Sequence, residues 1–156
     1  MGFKCAPQIM GLVRGEPKNP RHRADGGKLL REMGEERYSR TKHLDRTLSE
    51  QNVYEGYVSG QECWDYMCAV ADEGTEYTTK TGEVKRRKLR TDAVIGWAAI
   101  LHPADEVTAS WSWAEFERFD NDAMDALAEI EPRLFRRDAE LMRAEHRDEK
   151  GKHAHH

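Results

Sequence analysis

Cysteine, long apolar runs and net positive charge are all in short supply in this sequence, and each shortage closes off a class of protein. The 3 cysteines in 156 residues, Cys5, Cys63 and Cys68, are an odd number, and the Cys63 to Cys68 interval is neither that of a zinc knuckle nor that of a redox pair. They read as reduced, packed thiols, not as a disulfide framework. No apolar stretch approaches bilayer length, and Met1 to Arg14 lacks the continuous apolar segment of a signal peptide, so the expected location is cytoplasmic. Only 38% of residues are hydrophobic against 35% charged, with a mean hydropathy of -0.90, which leaves enough for one domain with one small core. A net charge of -4 argues against a protein that coats nucleic acid indiscriminately.

Within that total the charges are segregated. From Met1 to Arg31 there are seven cations, Lys4, Arg14, Lys18, Arg21, Arg23, Lys28 and Arg31, against Glu16 and Asp25. A second basic run follows at Lys85-Arg86-Arg87-Lys88-Leu89-Arg90, while the acids gather between Glu115 and Glu131. Such runs are commonly solvated faces. They are also what a phosphate-binding face on an acidic protein requires.

The apolar pattern predicts a first strand within Phe3 to Val13, a loop from Gly15 to Gly27, a short helix from Lys28 to Tyr38 weakened by Gly34, and an extended stretch from Asn52 to Tyr57. Ser59 with Glu62 reads as a capping box opening a helix from Gly60 to Asp72, followed by a polar connection from Gly74 to Gly82. Ala93 to Leu101 is the most apolar segment and the expected central strand. Ser112 with Glu115 caps a second, amphipathic helix whose stripe of Trp113, Phe116, Phe119, Met124, Leu127 and Ile130 is core-forming and ends near Pro132. No repeat or low-complexity tract is present. The order of elements predicts an α+β sandwich with helices on one face of a mostly antiparallel sheet.

The remaining feature is chemical. His146, His153 and His155 stand in a His-x6-His-x-His spacing, and Asp148 to Lys152, with Gly151, suits the turn of a hairpin whose first strand runs from Glu140 to His146. Residues two apart on a strand share a face, so His153 and His155 would point together with His146 alongside, forming a three-histidine metal site. A solvated tail is the alternative that the sequence alone leaves open.

The segment Glu145-His146-Arg147-Asp148-Glu149, Lys150-Gly151-Lys152, His153-Ala154-His155 resembles the His-x-Asp-Glu, three residues, His-x-His metal motif of the Mob/Pre plasmid mobilisation and recombination proteins, relaxases of the wider HUH endonuclease group. Arg87-Lys88-Leu89-Arg90-Thr91-Asp92-Ala93-Val94 is similar to the family's basic approach to a central strand, and Gly26-Gly27, His43-Leu44-Asp45 and Asn52-Val53-Tyr54 have the general layout of its N-terminal segment. The resemblance implies a ferredoxin-like HUH fold over residues 1–156, a single relaxase domain truncated after the metal motif and so incomplete at its C-terminus. It implies metal-dependent nicking and strand transfer on single-stranded plasmid origin DNA. His146, His153 and His155 would hold a divalent ion, manganese or magnesium in the first place, with zinc, nickel or cobalt also compatible with three imidazoles. Glu149, or Asp148, would serve as base or orient a ligand histidine. Arg14, Arg21, Arg23, Lys28 and Arg31, with Lys85, Arg86, Arg87, Lys88 and Arg90, would hold the DNA backbone. The position after Gly26-Gly27 holds Leu30-Arg31-Glu32 where the family's nucleophile is sought, which leaves His22, Tyr38 and His43 as candidates. A DNA-binding remnant without chemistry and a metal hydrolase unrelated to DNA are the alternative readings.

Overall fold

The most apolar stretch becomes an interior strand because both of its faces find cover. The computed structural model of the chain describes residues 7–39 and 48–156. Its main sheet contains β1 (Gln8–Val13), β2 (Arg23–Asp25), β3 (Val53–Gly56), β6 (Gly96–Leu101), β7 (Met142–Glu145) and β8 (Ala154–His155), while β4 (Thr75–Thr78) and β5 (Val84–Arg87) form a separate two-stranded ribbon. The main sheet runs in the order β2, β1, β6, β8, β7, β3, and every neighbouring pair is antiparallel except β1 with β2.

Successive strand residues point to opposite faces. Ala98 of β6 packs with Leu12, Leu30, Met33, Trp64, Met142 and Ala144 under the helices α1 (Gly26–Met33) and α2 (Gly60–Glu73). Its neighbour Ala99 packs with Leu101, Met124, Leu127 and Phe135 on the side of α4 (Trp113–Ile130). The expected α+β class with a mainly antiparallel sheet is thus what is found, and its layering is fuller than one covered face. An apolar run without alternation is the sequence mark of a strand buried on both sides, which β6 is.

Local chemistry accounts for the element ends. α1 starts two residues earlier than its periodicity predicts: Asp25 caps it by accepting from Lys28 N–H at 3.2 Å, so Gly26 and Gly27 belong to the helix and not to a loop. Both glycines lie under the Trp64 indole, where a Cβ on Gly26 would collide with the ring. The expected loop also contains β2, paired with Gly11 to Val13. Ser59 caps α2 as predicted, but the carboxylate facing this helix start comes from Glu36, which accepts from the N–H groups of Gly60 and Gln61 at 2.9 and 2.7 Å. Ser112 and Glu115 form the complete reciprocal box on α4. Of the α4 stripe, Phe116, Met124 and Leu127 are buried with Asp120 among them, and Ile130 is exposed beyond the core. A one-turn helix, α3 (Asp105–Thr108), precedes α4. Among the described residues no helix is long and apolar enough to cross a membrane.

Candidate metal centre

β8 lies between β6 and β7, with His155 opposite both Ile100 and Ala144. His146 follows the last residue of β7, and the turn from 147 to 152 folds the chain back so that His153 immediately precedes β8. The terminal hairpin expected from the sequence is therefore present. Gly151 makes the turn possible: its φ of 84° suits glycine, and a side chain there would run into Asp105 and lie 3.0 Å from His102 Nε2.

The hairpin gathers one ring nitrogen from each of His146, His153 and His155 within 4.8 Å of one another. Ring centroids are 4.8 to 5.4 Å apart. The Nδ1 atoms of all three are buried and have no hydrogen-bond partner. His146 Nε2 lies 2.7 Å from the Met33 carbonyl oxygen; an Nε2–H donating to that carbonyl leaves the Nδ1 lone pair free, the usual way a backbone carbonyl fixes the tautomer of a metal-binding imidazole. Burial and then the nearby Arg37 cation hold His146 neutral, its pKa pushed down to about 3. Burial likewise lowers His153, and burial with the facing His146 lowers His155 well below the ordinary value. Three uncharged imidazoles with orphaned nitrogens are a donor set that fits a divalent cation.

These shifts carry a stability consequence. A histidine whose folded pKa is depressed lets the unfolded chain bind more protons, so the stability it contributes is present above about pH 6.5 and is lost as pH falls below it. His156 opposes them: burial alone would lower its pKa, but the carboxylates of Asp120 and Glu140 raise it. With three groups against one, the melting temperature of the metal-free chain is expected to fall between pH 7 and pH 5. A flat thermal-unfolding profile over that range would refute the buried neutral cluster.

The acidic pair after His146 is spoken for. Arg37, from the 3-10 turn Glu35–Ser39, reaches both carboxylates, one N–H donating to Asp148 and another to Glu149. Asp148 also accepts from Asn52 Nδ2 at 2.9 Å. Burial would raise its pKa, but Asn52 and Arg37 outweigh that and lower it. Glu149 is the more accessible of the two, with an oxygen 3.7 Å from His153 Nε2 and a side chain 23% exposed. His102, on the chain just past β6, stacks at 5.2 Å from the His153 ring and is half exposed. Glu149 and His102 therefore mark the solvent side of the cluster.

Behind the hairpin lies a second, ionic layer. Asp120 of α4 accepts from Arg143 at 2.8 Å and contacts His156 at 2.8 Å, and Arg143 also bonds Glu145 at 3.1 Å. Arg147 joins Glu145 to Glu117 and lies over the Trp113 ring. Arg37, Asn52, His102 and this layer were not anticipated. Asp120 alone carried a signal, a carboxylate at the helical spacing of Phe116 and Met124 within an apolar stripe.

The other predicted site residues lie elsewhere. His22 sits just before β2 at a φ of 62°, on the edge strand, which is three strand spacings from β8, roughly 14 Å. Tyr38 is on the 3-10 turn that carries Arg37, and His43 lies outside the described residues. Arg14 bonds Asp72 at 2.6 Å near the root of the β4–β5 ribbon, and Arg31 bonds Gln61. Arg21, Arg23 and Lys28 are exposed near β2 and the start of α1. The second basic run is split: Lys85, Arg86 and Arg87 are on β5, and Lys88 and Arg90 are in the exposed stretch after it. The stretch expected to form one polar connection is thus a hairpin. Arg86 pairs with Glu76 at 2.8 Å, Arg90 with Asp92 at 2.9 Å, and Arg87 lies over Tyr77.

No family model and no curated protein matches the sequence. Solved structures do match in shape. The MobM relaxase domain (MOBV, Mob_Pre), bound to plasmid pMV158 oriT DNA of 22 nucleotides in a Mn-bound crystal at pH 4.6, superposes with a TM-score of 0.64 over 97% of this chain and 67% of that one, at 14% identity. The Mn-bound crystal at pH 5.5 gives 0.64 at 15% identity, and a complex with 23 nucleotides gives 0.63 over 66% of that chain. The chain thus spans about two thirds of those domains. At such identity the likeness is one of architecture: the six-stranded, mainly antiparallel sheet with its helices is the fold of a Mob/Pre-type relaxase domain.

Proposed function

We propose that this chain is the metal-binding part of a cytoplasmic plasmid mobilisation and recombination relaxase, which nicks one DNA strand at an origin of transfer and holds the cut end. The observation that carries the reading is the convergence, on the terminal hairpin of a relaxase-type sheet, of one ring nitrogen from each of three buried histidines whose Nδ1 atoms have no hydrogen-bond partner. His146, His153 and His155 would hold the ion, manganese or magnesium before zinc, nickel or cobalt. What a divalent ion supplies at such a site is Lewis-acid polarisation of a phosphodiester oxygen.

The chain's own groups divide the remaining work. Glu149, the accessible carboxylate at the rim, takes up a proton from the attacking group, and Asp148, anchored by Arg37 and Asn52, fixes the turn that presents it. The nucleophile is sought among His22, Tyr38 and His43; as its bond to phosphorus forms, one ester P–O bond breaks and the departing oxygen takes up the proton that Glu149 accepted, leaving as a hydroxyl. Arg14, Arg21, Arg23, Lys28, Arg31, Lys85, Arg86, Arg87, Lys88 and Arg90 hold backbone phosphates of the single strand through counterion release.

The test is a denaturing gel of the protein with single-stranded oligonucleotides carrying a pMV158-type origin, with and without manganese. A slower-migrating covalent adduct that requires manganese is expected. Manganese binding without adduct would favour a DNA-binding module without cleavage, the reading that the position of His22 on the edge strand recommends.

A further inference from the structure

The turn that joins the ligand histidines is held from behind by a single indole. Arg147 directly follows His146 and Lys152 directly precedes His153, so each cation is the chain neighbour of a ligand. Adjacent residues of an extended chain point to opposite faces. His146 faces the Met33 carbonyl at the end of α1, and the two cations accordingly face α4. There they meet over one ring: the Arg147 guanidinium carbon lies 4.7 Å and Lys152 Nζ 5.2 Å from the centroid of Trp113. Both distances are those of a cation–π contact.

The ring is a rigid platform. Trp113 is the first residue of α4, where the Ser112 and Glu115 box fixes the backbone, and it packs edge-on against the buried Phe116 at 5.8 Å. Each cation has a further partner beside the ring. Arg147 bonds Glu117, one turn along α4, at 3.0 Å and Glu145 at 2.7 Å, while Lys152 Nζ donates to the carbonyl of Thr108, the last residue of α3, at 3.1 Å. Both arms of the hairpin are thus pinned at a common point, against the repulsion of two positive charges brought over one ring. The histidines supply no such cohesion themselves, since their buried Nδ1 atoms make no hydrogen bond to one another.

We infer that Trp113 is a positioning residue for the metal centre: it fixes the mouth of the turn so that His146 and His153 stand ready for an ion before one arrives. The inference rests on the reading of the three histidines as a metal site. Arg37 grips the acidic middle of the same turn, and Trp113 grips its two basic ends. A ring that touches no ligand acts here through the chain neighbours of two of them, as groups around a metal centre do when they orient its ligands.

Two variants separate the face of the ring from its bulk: Trp113→Phe keeps an aromatic face, and Trp113→Leu keeps an apolar side chain without one. The Arg147 amide donates to Asn52 Oδ1 at 2.7 Å, and the Ile95 amide, just before β6, donates to the Leu12 carbonyl. In the metal-free chain, hydrogen exchange of the Arg147 amide is expected to quicken by about 10-fold with leucine, while that of Ile95 is unchanged. Manganese affinity, read by titration calorimetry, is expected to fall by about 10-fold with leucine. The phenylalanine variant stays nearer the parent on both readings. The inference is overturned if the two variants behave alike, if Arg147 exchange is unchanged, if Ile95 quickens as much as Arg147, or if manganese affinity holds although Arg147 has quickened. A parent chain that takes up no manganese would remove the metal reading and the positioning role with it, whereas failure confined to the variants leaves that reading intact.

Discussion

A chain carrying His153→Ala and His155→Ala is expected to bind manganese far more weakly than the parent, by well over 100-fold. The scale follows from a comparison: loss of an outer hydrogen-bond partner of a ligand histidine alone costs about 10–100-fold in metal affinity, and this change removes two of three donors outright. Single-stranded DNA binding and its salt slope are expected to persist. The metal cluster is at the Leu101 end of β6, whereas Arg14, Arg23 and the ribbon cations gather towards its Gly96 end, roughly 17 Å away along six strand residues. Titration calorimetry with manganese and a fluorescence titration with an oligonucleotide at several salt concentrations separate the two effects. The converse variant, Arg86→Ala with Arg87→Ala and Arg90→Ala, should flatten the salt slope by about 2 and spare manganese affinity. Retained manganese affinity in the histidine variant would sink the site assignment, and coupled loss in both variants would sink the separation of surfaces.

The histidine cluster was legible because its geometry is local. A hairpin with alternating side chains places His146, His153 and His155 on one face whatever the rest of the fold does, so their spacing was enough. β6 was legible as an interior strand from its unbroken apolar run, and both capped helices from Ser59 and Ser112. What surrounds the cluster was not, because it is assembled from distant sequence. Arg37 meets Asp148 across 111 residues and Asn52 meets it across 96, and neither sits in a pattern that periodicity or charge counting picks out. The β4–β5 ribbon was missed for another reason: all of its strand residues are exposed, so it lacks the apolar alternation by which a half-buried strand is recognised. The end of the segment Gly15 to Gly27 read as loop because Gly26 and Gly27 serve the close approach of Trp64 to α1, a tertiary demand that mimics a turn signal.

The Arg37→Ala chain is expected to be less stable than the parent by about 3–5 kcal/mol, the usual cost of removing one partner from a buried ion pair and leaving the other charged. For a domain of this size that lowers the melting temperature by on the order of 10 °C. Arg37 is 3% exposed and Asp148 1%, so water cannot replace the lost guanidinium, and Asn52 supplies one neutral hydrogen bond where two charges met. Glu149 contributes less to the loss because solvent reaches it. If the penalty is that of the stranded carboxylate, Arg37→Met combined with Asp148→Asn should recover most of it, since neither charge is then buried. Equal instability of the single and double variants would mean instead that Arg37 matters through packing. The same substitution bears on the metal centre. Arg37 holds the turn from which Glu149 faces His153, and its 3-10 turn follows the Met33 carbonyl that orients His146. Manganese affinity measured below the lowered melting temperature should therefore fall by about 10–100-fold, the range for a group that orients ligands without touching the ion. In the double variant stability returns while Glu149 remains unclamped, so affinity should stay low. Recovery of both together would show that Arg37 serves the fold alone.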